Sequence, residues 1–164
     1  MMSKVQNQVE IVRIGPADYG VFSALLEWRR TGREKVETAG YQTERLQHFV
    51  QQYRVLDSEM FFIYAAKVND KLVGYINAIV IPKPDPRLGI MYVDELWTVP
   101  QYRGMGIAGR LLDTVIHLAK RLNLWRVRLY VGADNDSART CYHKAGFVEK
   151  GDCLFCEVDV AEIN

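Results

Sequence analysis

The spacing of hydrophobic and polar positions changes several times along the chain, and each change marks an element. Val9 to Ile14 alternates, with Val9 and Ile11 set against Glu10 and Arg13, as a half-buried strand requires, and Gly15-Pro16 ends it. A helix is expected from Pro16-Ala17-Asp18 onward, because Phe22, Leu25, Leu26 and Arg29 recur at helical spacing before the polar stretch Arg29 to Lys35. A second helix opens at Thr43 with a threonine cap, its apolar stripe formed by Leu46, Phe49, Val50 and Tyr53 and flanked by His48. Met60 to Val68 and Leu72 to Ile81 are β-rich runs around the turn signal Asn69-Asp70-Lys71, which predicts an antiparallel hairpin. Pro82, Pro84 and Pro86 lack N–H donors, so their segment is a loop leading to the next strand, Ile90 to Val99.

Pro100-Gln101-Tyr102-Arg103 then breaks the pattern, and Gly104, Gly106 and Gly109 open a helix. Ala108, Leu111, Leu112, Val115, Ala119 and Leu122 fall on one face of it, and charged or polar residues such as Arg110, Asp113 and His117 on the other. Leu124 to Val131 reads as a strand, and Ser137 to Ala145 as a short helix closed by Gly146. Phe147 to Glu149 and Leu154 to Val160 read as a final antiparallel pair. The order is strand, two helices, three strands, helix, strand, helix, two strands, which predicts an α/β protein with a mixed sheet and helices on both faces. No repeat, low-complexity tract or linker divides it, so residues 1–164 are expected to form one domain with its core over about 9–160.

Composition narrows the partners. A hydrophobic fraction of 49% with 25% charged residues describes an ordinary globular chain, outside the range of disorder. The net charge of +1 supplies no global field for nucleic acid or an anionic membrane, so any anion must be held locally. The basic run from Arg29 to Lys35 carries interspersed acid and reads as a solvated helix end. The polar start MMSKVQNQ lacks a secretory apolar core, and no apolar run approaches the roughly 20 residues of a membrane helix. Cys141, Cys153 and Cys156 are an odd number without a disulfide framework, so a cytoplasmic location is expected.

Gly104 to Gly109 fits both G-x-G-x-x-G and the frame of a P-loop, but the residues around it fail both. A P-loop needs Lys and Ser or Thr where Arg110 and Leu111 stand, and a dinucleotide site needs a strand running straight into the first glycine. The shared physics survives: glycines let a ligand approach the backbone, free amides at a helix N-terminus hold an anion, and Arg103 adds a positive charge.

The segment resembles the acetyl-coenzyme A motif of the GNAT superfamily of N-acetyltransferases, read here as Arg103-x-x-Gly106-x-Ala108, with alanine where many members carry a further glycine. A second stretch, Asn135 to Phe147, resembles that superfamily's N-x-x-A-x-x-x-Y-x-x-x-G-F segment. The resemblance implies a mostly antiparallel central sheet splayed between its fourth and fifth strands, with acetyl-CoA as co-substrate and no metal. It further implies that Arg103 and the amides of Gly104, Met105, Gly106, Ile107, Ala108 and Gly109 hold the pyrophosphate. The backbone of Trp97, Thr98 and Val99 would pair with the pantetheine arm, with Asn135 near the thiol.

An amine attacks only when neutral, and a lysine-like amine of pKa about 10.4 is neutral in less than roughly one part in a thousand at pH 7, so a general base, or a route for the proton to bulk water, is needed. Glu95 is the first choice and Asp94 the second; neighbours on a strand face opposite ways, so only one should point at the acceptor unless a bulge intervenes. Tyr142, at the motif's tyrosine position, is the expected acid for the departing thiolate. Direct attack on the thioester is the expected route, with the oxyanion near a strand N–H around Trp97 to Val99. Cys141 has no histidine recognisably placed to activate it, and Cys141, His143, Cys153 and Cys156 diverge too far on their elements for a zinc set. The function expected is acetyl transfer to a primary amine of a small molecule or peptide, the alternative being a non-catalytic acyl-CoA sensor or partner-binding module. Trp28 to Gln42 and Ile81 to Gly89 would rim the acceptor side, and the edge of the closing hairpin is where a homodimer could form.

Overall fold

The computed structural model describes residues 8–34, 48, 50–151 and 156. Five strands, β1 (Val9–Arg13), β2 (Phe61–Val68), β3 (Lys71–Pro82), β4 (Gly89–Thr98) and β5 (Arg126–Arg128), lie side by side in chain order. The first four are antiparallel to their neighbours, and β5 runs parallel to β4. The helices described over their whole length are α1 (Tyr19–Thr31), α2 (Ile107–Arg121) and α3 (Asp136–Lys144). A 3-10 turn, Pro16–Asp18, precedes α1, so the helix expected at Pro16 begins one turn later.

Asn69 and Asp70, both in the left-handed region at φ 48° and 63°, make the two-residue turn that pairs Val68 with Lys71. β3 is the central strand and is covered on both faces. Tyr75 meets Phe22 of α1 edge-on, at 5.2 Å between ring centroids, while its neighbour Gly74 lies against Ile107 of α2. The α2 stripe is the tightest part of the core, with Ile107, Leu111, Leu112, Val115, Leu118 and Ala119 buried. It therefore starts at Ile107 rather than Ala108, and Leu122, where the helix has ended, is 38% exposed.

Two features position the site. First, β4 and β5 pair only from Ile90–Arg126 to Tyr92–Arg128, so the strand expected over 124–131 has a ladder of three residues. β4 runs on to Thr98, paired with β3 but without β5, and the two strands part there. Second, β4 carries a bulge: Asn77 pairs with Glu95 and Ala78 with Val93, leaving Asp94 as an extra residue.

Three expectations near the ends need adjustment. Residues 147–149 form no strand in the structure; Glu149 is instead drawn onto α3 by Arg139 at 2.8 Å and His143 at 3.0 Å. Its expected partner, residues 154–160, lies outside the described residues apart from Cys156, as do Cys153 and most of the second helix. Of that helix, residues 48 and 50–52 are helical, and Tyr53 has left the stripe at 62% exposure because the chain turns through Arg54 at φ 47°.

Candidate active site

Where β4 leaves β5, its main-chain groups on that side need partners. Val99 N donates to Val73 O at 2.9 Å, and this pair fixes the alternation along the ladder. Val99 and Trp97 turn their N–H and C=O toward β3, while Leu96 and Thr98 turn theirs into the gap. Val99 O is also occupied, accepting from Tyr102 N at 2.9 Å. Of the three residues expected to present backbone to a ligand, Thr98 therefore does so; Leu96, which the sequence did not single out, is the second.

The other wall of the gap is the start of α2. Gly104 and Gly106 adopt φ 80° and 76°, which turns the chain so that the helix opens toward the gap. Arg110 is the first amide of the segment to bond back, to Gly106 O at 3.1 Å. The amides of residues 104–109 have no acceptor among the described residues, as at any uncapped helix N-terminus. A Cβ built on Gly104, Gly106 or Gly109 meets nothing within 4 Å, so packing against the protein does not explain these glycines. Arg103 Nε donates to Thr98 O at 3.2 Å, which holds the guanidinium at the junction of strand and helix. The buried Thr98 Oγ1 has no hydrogen-bond partner. A ligand with an anionic group and amide-like polar groups fits this wall.

The bulge decides the acid side. Asp94 Oδ2 lies 3.5 Å from Asn77 Nδ2, and Glu95 Oε2 accepts from Tyr75 OH at 2.7 Å. Tyr75 and Asn77 are two apart on β3 and share a face, so both carboxylates lie on the α1 face of the sheet. The alternation that should separate them is cancelled by the extra residue. Glu95 is further engaged by Arg29, whose Nη1 is 2.6 Å from Oε1 and also donates to Tyr75 OH. Arg29 thus belongs to the site rather than to a solvated helix end. Burial opposes the cation only in part: it lowers the Arg29 pKa, the interactions with Glu95 and Tyr75 raise it, and the balance is upward. Burial, then the bond to Glu95, hold the Tyr75 phenol well above its ordinary range. A lone tyrosine within the apolar run of β3 was the available signal for this cluster, since a buried hydroxyl requires a partner. Asp94 is exposed, and among the described residues its carboxylate accepts a hydrogen bond only from Asn77, which leaves it acceptor capacity.

On α3, Asn135 is the N-cap, its Oδ1 accepting from Ala138 N at 3.1 Å. Tyr142 is half-buried, its ring 5.9 Å from that of Phe147, and its hydroxyl has no hydrogen bond among the described residues. Burial raises its pKa, so the phenol holds its proton at neutral pH. Burial likewise raises the Cys141 thiol, which makes it a poor nucleophile.

A mixed sheet whose last two strands part, with a glycine-opened helix across the gap, defines the class: an α/β fold with helices packed on the sheet. The chain belongs to the acetyltransferase (GNAT) family, whose profile matches residues 22–147. It is 32% identical to an uncharacterised N-acetyltransferase of Methanocaldococcus jannaschii over 96 residues, which cover 57% of this chain and 41% of that protein. The chain thus spans less than half the length of that relative. In fold it is similar to an aminoglycoside acetyltransferase from an uncultured soil metagenomic sample, at a TM-score of 0.74 and 17% identity, covering 95% of this chain and 100% of that one. It is also similar to an aminoglycoside N-acetyltransferase solved in complex with CoA, at a TM-score of 0.70 and 12% identity, covering 92% and 95%.

Proposed function

We propose that the protein transfers an acetyl group from acetyl-CoA directly to a primary amine of a small molecule or peptide. The observation that carries this reading is the β4 bulge, which puts the Asp94 and Glu95 carboxylates on one face at the point where β4 parts from β5. Acetyl-CoA supplies the activated acyl group. Arg103 and the 104–109 amides suit its pyrophosphate, and the main-chain groups of Leu96 and the N–H of Thr98, whose carbonyl accepts from Arg103 Nε, suit the amides of its pantetheine arm. Asn135 and Tyr142 stand at the thiol end by the family resemblance.

Asp94 is the base: it takes a proton from the acceptor ammonium, directly or through one water, and leaves the nitrogen lone pair free to attack. Glu95, held by Arg29 and Tyr75, orients the amine instead. The nitrogen–carbon bond forms and the carbon–sulfur bond breaks, Tyr142 gives its proton to the departing sulfur, and the second proton of the acylated nitrogen passes through water to the Tyr142 phenolate, which leaves a neutral amide. A cytoplasmic location suits the free thiols of Cys141 and Cys156.

Thiol release from acetyl-CoA, measured over polyamines, aminoglycosides, amino acids and peptides, tests the reading. Amine-dependent release with a matching acetylated product supports it. Tight acetyl-CoA binding with no release for any amine sinks it in favour of an acyl-CoA sensor.

A further inference from the structure

The face that carries Asp94 and Glu95 continues down β4 and across to β5, where neither the donor wall nor the acid–base groups reach. Ile90 lies opposite Arg126 and Tyr92 opposite Arg128 in the parallel ladder, so Tyr92, Arg126 and Arg128 share a face. It is the same face as the carboxylates, because Val93, between Tyr92 and the bulge, points into the core. Tyr130 continues the row, its ring centroid 5.8 Å from that of Tyr92. At the lower end Trp125, 42% exposed, is ringed by guanidinium groups. Arg126, Arg87 and Arg128 stand 3.8, 5.2 and 5.9 Å from its centroid.

These three cations differ in what they have left to offer. Arg87 is engaged by Asp85, which accepts from its Nε at 2.8 Å. Arg126 and Arg128 are exposed and make no ion pair among the described residues. Contact with the Trp125 ring holds their planar heads while leaving N–H groups free, and such forks match carboxylates in two-point fashion. Two like charges set two residues apart on one strand repel unless an anion lies across them.

Resting on the transferase reading, we propose that this row is the distal half of the acceptor site and that the acceptor is the α-amine of a peptide with acidic residues at its third and fifth positions. On the neighbouring strand, the Cα of Arg128 lies level with Tyr92 and so about 7 Å below Asp94 along the strand axis, and that of Arg126, level with Ile90, about 13 Å below it. An extended peptide has the same rise, and its first, third and fifth side chains share a face. With the amine at Asp94, acids at positions three and five meet Arg128 and Arg126, and the Tyr92–Tyr130 pair underlies the chain between. A polycationic acceptor meets like charge there.

The test compares the pentapeptide Ala-Gly-Glu-Gly-Glu with its Gln and Lys counterparts and with an aminoglycoside. Thiol release is one readout, and calorimetric binding to the CoA-loaded protein the other. The Glu peptide is expected to exceed the Lys peptide by about tenfold in both, at low salt. In the Arg126→Gln/Arg128→Gln chain the ratio falls to near unity while acetyl-CoA affinity stays unchanged. In Arg126→Glu/Arg128→Glu it inverts toward the Lys peptide, a gain that misfolding cannot produce. Equal or better use of the Lys peptide or the aminoglycoside by the wild type overturns the proposal, as does a preference that survives both double substitutions. Acetyl transfer without charge preference defeats this inference alone. Arginine-dependent, anion-selective binding without thiol release defeats the transferase reading alone.

Discussion

Tyr75 donates its hydroxyl hydrogen to Glu95 Oε2 at 2.7 Å from a position in β3 that is 1% exposed. Burial first, and the adjacent carboxylate second, raise this phenol well above its ordinary 10.0, with Arg29 opposing them in part. The folded chain therefore keeps a proton that the unfolded chain releases. The resulting stability is fully present below pH 10, the unfolded value, and is lost as pH rises from there through the raised folded value. Denaturant unfolding between pH 9 and about 11.5 should show the wild type losing stability more steeply than Tyr75→Phe. Equal slopes would remove Tyr75 from the alkaline transition.

The two carboxylates of the bulge should separate in kinetics. Asp94→Asn is expected to lower kcat at pH 7 by about 100-fold and to leave the KM for acetyl-CoA unchanged, as for loss of a base. Glu95→Gln should raise the acceptor KM more than it lowers kcat. It should also destabilise the fold by about 1 kcal/mol, a modest figure because the Arg29–Glu95 pair is partly solvated. The reverse assignment follows if Glu95→Gln abolishes turnover and Asp94→Asn does not.

Tyr142→Phe removes the proton given to sulfur and leaves the ring packed on Phe147. A fall in kcat of about 100-fold with an unchanged melting temperature is expected. Full turnover across pH would assign that protonation to water.

Gly109 offers a test in which stability and affinity move in opposite directions. Its Cβ would meet nothing within 4 Å, and it lies inside the first turn of α2. Gly109→Ala should therefore stabilise the protein by about 0.5–1 kcal/mol through helix propensity. Because the methyl projects where the pyrophosphate is proposed to lie, the Kd for acetyl-CoA should rise, as read by calorimetry alongside thermal melting. A stabilised variant with unaltered affinity would move the pyrophosphate elsewhere.

Much of this molecule was legible from residue order, and the division has a physical basis. Apolar period and turn residues are local, so β2, β3, β4 and α2 appear in the sequence near their observed bounds. The glycine segment was readable because left-handed backbone calls for glycines at 104 and 106. The Arg29–Tyr75–Glu95 cluster was not, since it joins three distant segments through tertiary packing. The bulge at Asp94 was equally hidden, because a register shift depends on the partner strand and leaves no mark on the strand that carries it. Which of Trp97, Thr98 and Val99 faces the gap depends on the same register.

The bulge also divides β4 into two lengths with different duties. Below Asp94, Met91 and Val93 are set by the core, at 0% and 3% exposure, and substitutions there act through folding. Above it, Leu96 and Thr98 turn main-chain groups into the gap where the pantetheine arm is proposed to lie, and changes there should act through what is bound. A scan of single substitutions along these ten residues should switch, across one position, from losses of abundance to losses of occupancy. Deleting Asp94 would merge the two lengths into one continuous ladder, with Glu95 still opposite Asn77 and only the proposed base lost.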